Sequence, residues 1–192
     1  CRLTLHPAAG ATGLSVINSF LFPAGSAAPL SKMITIPQPP VMMDSPALHK
    51  AIDALTEGET DESALMATVV FEVHHADDRC DWTGFYRVTE PEVLKIGPYQ
   101  GGHGCLKIPF SRGVCGAAAR LQSPQLVADV HAFEGHIACA SSTQSELVLP
   151  VFDGHGTLLA VFDLDSDQPA AFTNEDVQQM TSLLHRVFQK VL

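Results

Sequence analysis

Apolar positions over residues 46–76 recur at the three- and four-residue spacing of a helix. Leu48, Ile52 and Leu55 fall on one face, behind a start at Asp44-Ser45-Pro46 that offers a capping side chain and a proline in the first turn. Gly58 is expected to close that helix. Leu65, Val69 and Val73, with Met66 and Val70 beside them, form a second stripe that Asp61 is placed to cap. From residue 82 the period drops to two. Trp82 to Val88 reads as a strand, Val93 to Gly97 as its hairpin partner and Lys107 to Phe110 as a third. Gly113 to Leu121 is Ala-rich and predicts a short helix, and Gln125 to Ala128 a further strand. Glu146 to Phe152, the turn Asp153-Gly154-His155-Gly156 and Thr157 to Leu164 predict a hairpin. Thr173 with Asp176 forms a capping-box pattern ahead of a closing helix, whose apolar face is Val177, Met180, Leu184, Val187 and Val191.

This order, α-α-β-β-β-α-β-β-β-α, predicts an α+β domain: a central antiparallel sheet with helices packed mainly on one face. Irregular segments are expected at 98–106 and 129–145. Connections of that length in a compact domain are usually functional or disordered. These carry thiols, histidines and glycines rather than linker residues, which favours function.

Composition changes the picture at the N-terminus. Residues 1–43 are rich in Ala, Ser, Gly and Pro, contain no acidic residue and end in PQPPVMM, so they are expected to be a disordered extension ahead of a domain at 44–192. The first residue is Cys1, which suggests a fragment, a processed chain or a translated upstream extension, with Met33, Met42 and Met43 as candidate starts. An organellar targeting role for 1–43 stays open beside a cytoplasmic location. All 21 acids therefore fall in 44–192. So acidic a body argues against nucleic acid or an anionic membrane as partner. No apolar run approaches the ~20 residues that span a bilayer.

Five cysteines make an odd count, and their spacing matches neither a secreted disulfide scaffold nor a CxxC or zinc-ribbon template. Cys1 and Cys80 have no chemical context and are expected to be incidental or buried thiols. Cys105, Cys115 and Cys139 differ, because all three lie in one Gly-rich stretch in or beside the long loops. Sulfur-based reduction needs a nucleophilic thiolate, an acid for the departing oxygen and a second thiol to release the first. Cys139 sits in GHIAC ahead of a polar loop, and His136 could lower its pKa if the two meet. Cys115 opens the Ala-rich helix, where amides and dipole would favour a thiolate. Cys105, on the Gly-rich approach, suits a resolving thiol. The bland alternative for any single cysteine is a small buried hydrophobe.

Glu146 heads an apolar strand, while Asp163 and Asp165, two apart, share a face at the end of another. If those strands pair, three carboxylates converge, and crowding raises their pKa values so that one can serve as an acid. Otherwise they cap turns or pair with Arg87 or Arg112. Trp82 and Tyr86 share a strand face and are core residues by default, or a flat wall for a small ligand. His131 beside Asp129 reads equally as a loop-fixing contact. His103, Cys105, Cys115, His136 and Cys139 offer zinc-binding chemistry, though no pair has short ligand spacing.

The segments DWTGFY, LKIGPYQG, CLKIPFSRGVCG, DVHAFEGHIACASSTQSELVLPV and FDLDS resemble the free methionine-(R)-sulfoxide reductases, single-domain proteins of the GAF fold. The likeness covers roughly residues 45–190 and includes the three cysteines at the family's spacing. It implies thioredoxin-dependent reduction of free methionine R-sulfoxide. The nucleophile would fall on Cys139 and its disulfide partner on Cys105, with Cys115 the runner-up for either role. Glu146, Asp163 and Asp165 would hold the substrate amino group and help protonate the sulfoxide oxygen, and Trp82 and Tyr86 would line the site around the methyl. No metal or organic cofactor is implied, and a homodimer through helices such as 46–57 and 174–191 is compatible. Lys107 stands where the family usually has Arg, and Ala140 where it often has Asp. The rival classes are a non-catalytic GAF module that senses a small molecule or thiol oxidation, and a zinc-stabilised interaction domain.

Overall fold

A computed structural model describes residues 46–137 and 139–192. The expected extension at 1–43, with Cys1 and the Asp44-Ser45 cap, lies outside the described residues. Four helices, α1 Pro46–Leu55, α2 Glu62–Ala76, α3 Gly113–Leu121 and α4 Asn174–Phe188, surround six strands. These are β1 Trp82–Glu90, β2 Val93–Gln100, β3 Lys107–Pro109, β4 Gln125–Val127, β5 Ser145–Phe152 and β6 Leu158–Ser166, with a short 3-10 turn at Val130–Ala132. The strands form one sheet in the order β3-β2-β1-β6-β5-β4, every neighbour antiparallel.

Capping chemistry sets the helix ends where it was expected. Asp61 accepts from Ala64 N at 2.9 Å at the start of α2. Thr173 and Asp176 close a reciprocal capping box at the start of α4. Arg79 then locks this end of the domain, bridging Asp77 at 2.7 Å and the buried Asp176 at 2.8 Å while donating to Ala171 O. In the β5–β6 turn, Asp153 Oδ1 accepts from His155 N and Thr157 N. One helical stripe is shorter than its spacing suggests: Leu48 and Ile52 are buried, but Leu55, the last helical residue, is 59% exposed.

Side-chain alternation divides the sheet into two faces. Phe85, Leu147, Leu149, Phe162 and Leu164 pack under α1, α2 and α4, with Phe85 4.6 Å from Phe162 and 5.5 Å from Phe188 between ring centroids. Each such fully buried side chain contributes roughly 1.5–3 kcal/mol. Trp82, Tyr86, Val148 and Val161 face the other way, toward α3. Among the described residues, three helices thus cover one face and α3 alone the opposite one. Its small residues let it sit close, since a Cβ on Gly116 would stand 2.6 Å from Pro109 O. The loop expected at 98–106 is shorter, because β2 continues to Gln100 through its pairing with Thr83.

Candidate active site

Strand register brings the acidic and aromatic side chains together. Glu146 pairs with Asp165 across β5 and β6, and Asp165 pairs with Trp82 across β6 and β1. One pair further along, Val148, Asp163 and Gly84 form the next row. Neighbouring strands stand ~4.8 Å apart, so these rows place Glu146, Asp163 and Asp165 in a tight group on the α3 face.

Gly84 has a specific task in that arrangement. A Cβ there would run into the Trp82 indole and stand 2.6 Å from Tyr99 Cβ. Without it, Trp82 lies over the strand and stacks on Tyr86 and on Tyr99, each 5.6 Å between ring centroids. Trp82 Nε1 donates to Gly102 O at 3.2 Å, which ties the stack to the 101–106 loop. Gly104 allows that loop to close, since a Cβ there would stand 2.8 Å from Tyr86 Oη. Tyr99, Gly84 and Gly104 went unrecognised in the sequence. The signal available was a glycine inside a strand, third in β1 and set between Trp82 and Phe85.

The next residue in that loop is Cys105, joined to Cys139 by a disulfide with Cα atoms 5.3 Å apart. Cys139, Cys115, Trp82 and Tyr86 line one recess between the sheet, α3 and the two loops, and Glu146, Asp163 and Asp165 form its acidic wall. Gly113 starts α3 beneath it at φ +69°, a left-handed conformation that glycine adopts without strain. His103, His136, Ile137 and Thr143 complete the rim. Asp129 and His131 stay apart from the recess. There Asp129 Oδ1 accepts from His131 N at 2.9 Å and meets Nδ1 at 3.0 Å, which makes the pair a turn-fixing contact.

Cys115 is the third residue of α3, but its surroundings reverse the expectation of a thiolate. Its Sγ donates to Asp163 Oδ2 at 3.2 Å, and Glu146 Oε1 stands 3.9 Å from the same sulfur. Burial and these two carboxylates push the thiol well above its ordinary pKa. Burial and the neighbouring Asp163 carboxylate outweigh the partial charge of one helix end. Cys80, the other free thiol among the described residues, is buried in the opposite core and pushed up to about 12 by burial. His136 shares the recess with Cys139, yet burial lowers its pKa, so at neutral pH it offers no positive charge to stabilise a thiolate.

The carboxylates divide their protons unequally. Burial first, and then the Asp163 charge, hold Glu146 well above its ordinary value, and Asp165 likewise. Burial also lifts Asp163, but the Cys115 thiol and the Glu146 carboxyl beside it pull it back to about 6. The three carboxyls therefore share their protons as a group, with Glu146 and Asp165 pushed toward the protonated form and Asp163 the one whose ionised form its neighbours favour. Arg87 takes no part, pairing instead with Glu62 at 3.5 Å. Among the described residues, Asp163 Oδ1 is buried with no hydrogen-bond partner. An orphaned acceptor of this kind calls for a donor from a ligand.

With Cys105 and Cys139 joined, the five-residue zinc set loses two of its thiols. The described residues whose ligand atoms converge are Cys115, Glu146 and Asp163. No helix among the described residues is long and apolar enough to cross a membrane.

Comparison with known proteins places this arrangement. The model of the GAF domain matches residues 59–187. The chain is 38% identical to the free methionine-R-sulfoxide reductase of Escherichia coli over 145 residues, which cover 76% of this chain and 86% of that protein. It is 39% identical to the enzyme of the same name from Saccharomyces cerevisiae over 54% of this chain and 58% of that one. The solved structure of free methionine-R-sulfoxide reductase from Neisseria meningitidis in complex with its substrate superimposes with a TM-score of 0.70 at 35% identity, covering 74% of this chain and 85% of that chain. A glycine-backed aromatic stack, a disulfide and a carboxylate trio thus stand on a GAF scaffold, and the chain belongs to the free methionine-R-sulfoxide reductase family of GAF-domain proteins.

Proposed function

We propose that this chain reduces free methionine R-sulfoxide to methionine, with Cys139 as nucleophile and Cys105 as the thiol that releases it. The observation that carries this reading is the Cys105–Cys139 disulfide at a recess walled by Glu146, Asp163 and Asp165.

The chemistry follows from the side chains present. Cys139 sulfur attacks the sulfoxide sulfur, whose oxygen leaves only when it receives a proton. Glu146, held protonated, is suited to supply it, while the Asp163 anion and its orphaned Oδ1 suit a substrate ammonium. The oxygen, with a proton, ends on Cys139 as a sulfenic acid, and methionine departs as the thioether. Cys105 sulfur then displaces that oxygen as water and forms the disulfide. A dithiol reductant of the thioredoxin class restores both thiols by exchange, taking the oxidation with it. Trp82 and Tyr86 provide an apolar face for the methyl and side-chain carbons. Closure of the 101–106 loop over the recess favours a free amino acid over a residue within a peptide.

The same disulfide also fits a second reading, a sensor that records oxidation without turnover. Purified protein with thioredoxin, thioredoxin reductase and NADPH separates the two. Sustained NADPH loss on the R epimer, with none on the S epimer, supports the reductase. Loss of one equivalent followed by arrest supports the sensor.

A further inference from the structure

The triangle of Cys115, Glu146 and Asp163 has a geometry that sulfoxide reduction does not require. The Cys115 sulfur lies 3.2 Å from Asp163 Oδ2 and 3.9 Å from Glu146 Oε1, and one ligand atom from each residue falls within 4.8 Å of the others. A tetrahedral zinc ion with Zn–S of about 2.3 Å and Zn–O of about 2.1 Å separates its sulfur and oxygen ligands by about 3.6 Å. The observed separations bracket that value, so small side-chain rotations suffice. All three side chains are buried, and each lines the recess. Asp163 Oδ1, buried and unpartnered among the described residues, is an independent sign of an electropositive ligand at this place.

We propose that Cys115, Glu146 and Asp163 form a binding site for a thiophilic divalent cation such as zinc, whose occupancy blocks the recess. The three side chains supply one sulfur and two oxygens, and the fourth position faces the open recess, where water completes the shell. Binding forms a metal–sulfur bond and expels the Cys115 proton to solvent, and Glu146 releases its own proton in the same event. No electron is transferred. The ion then occupies the ground that the proposed function gives to the substrate ammonium and the acid, so it inhibits reversibly. The metal site itself stands whether or not that reading of the activity holds.

Cobalt(II) is the probe, added to protein oxidised to the Cys105–Cys139 disulfide so that neither of those thiols can bind. The expected result is a thiolate-to-cobalt charge-transfer band with visible bands of tetrahedral intensity, both displaced by one equivalent of zinc. Cys115→Ser removes the near-ultraviolet band. Asp163→Asn weakens zinc binding by more than about tenfold, the scale on which loss of even an indirect support weakens a metal site. A zinc-dependent rise in melting temperature, present in the wild-type chain and absent in Cys115→Ser, provides a second readout on folded protein. A sulfur–cobalt band that survives Cys115→Ser would overturn the proposal, as would folded wild-type protein that develops none. In the thioredoxin-coupled assay zinc raises KM for the sulfoxide and a chelator reverses it. If turnover is absent altogether, the reductase reading fails while the cobalt spectrum still decides the site.

Discussion

Cys115 Sγ donates to Asp163 Oδ2 at 3.2 Å, joining helix α3 on the recess face to the centre of the sheet through a buried thiol. That contact fixes Cys115 as a protonated donor. Its reactivity should therefore differ from that of the other recess cysteines.

Alkylation of the native protein measures that difference. After reduction of the disulfide at pH 8, iodoacetamide should modify Cys105 and Cys139, which are partly exposed. Cys115 and Cys80, both buried and pushed to high pKa, should remain unmodified until denaturant is added. Mass mapping of the labelled peptides reads each site. Rapid native labelling of Cys115 would show that the Asp163 contact does not hold it protonated.

Nucleophile and resolving thiol separate by their kinetics. Cys139→Ser is expected to abolish turnover, because Cys139 is the partly exposed thiol that lines the recess, whereas Cys115 and Cys80 are buried and held protonated. Cys105→Ser should permit at most one event per chain, leaving a sulfenic acid on Cys139 that dimedone traps. Undiminished activity in Cys139→Ser would move the nucleophile elsewhere.

Trp82 is the single tryptophan, so its fluorescence reports on the recess alone. Gly84→Ala inserts a methyl against the indole and Tyr99 Cβ, displacing the stack. The expected cost is about 1–3 kcal/mol in urea unfolding, as for other overpacked sites, together with a red-shifted emission. Emission and midpoint both unchanged would mean that the strand relaxes around the methyl and that the glycine is incidental.

How far the sequence carries can be judged from these residues. Helix stripes and capping signals were legible because they are local: Asp61, Thr173 and Asp176 cap as their spacing indicates. Asp163 and Asp165 were assigned to one face by the two-residue period alone. What was not legible depends on pairing between distant strands. The row Glu146–Asp165–Trp82 arises from a sheet order that inserts β6 between β1 and β5, and no local pattern encodes that order. The protonation of Cys115 was misjudged for the same reason. Its helix position is local, whereas the carboxylates that reverse its chemistry arrive from residues 146 and 163.

The carboxylate trio sets a pH dependence whose sign is fixed by its burial. Glu146, Asp163 and Asp165 all have folded pKa values above their unfolded ones, so between the two the folded state holds more protons. Stability must then fall as pH rises through that interval, opposite to the trend for a salt-bridged carboxylate. For Asp163 the interval runs from 3.8 to about 6, worth on the order of 3 kcal/mol; the loss for Glu146 and Asp165 continues to higher pH. Denaturant unfolding from pH 4 to 8 should show the decline, and Glu146→Gln should flatten it and raise stability at pH 7. The same variant should lose about 10²–10⁴-fold in kcat/KM for the R-sulfoxide, the usual contribution of a positioned acid, together with the alkaline limb of the profile. A variant that is stabilised yet keeps full activity would confine Glu146 to a structural role and pass the proton donor to Asp165.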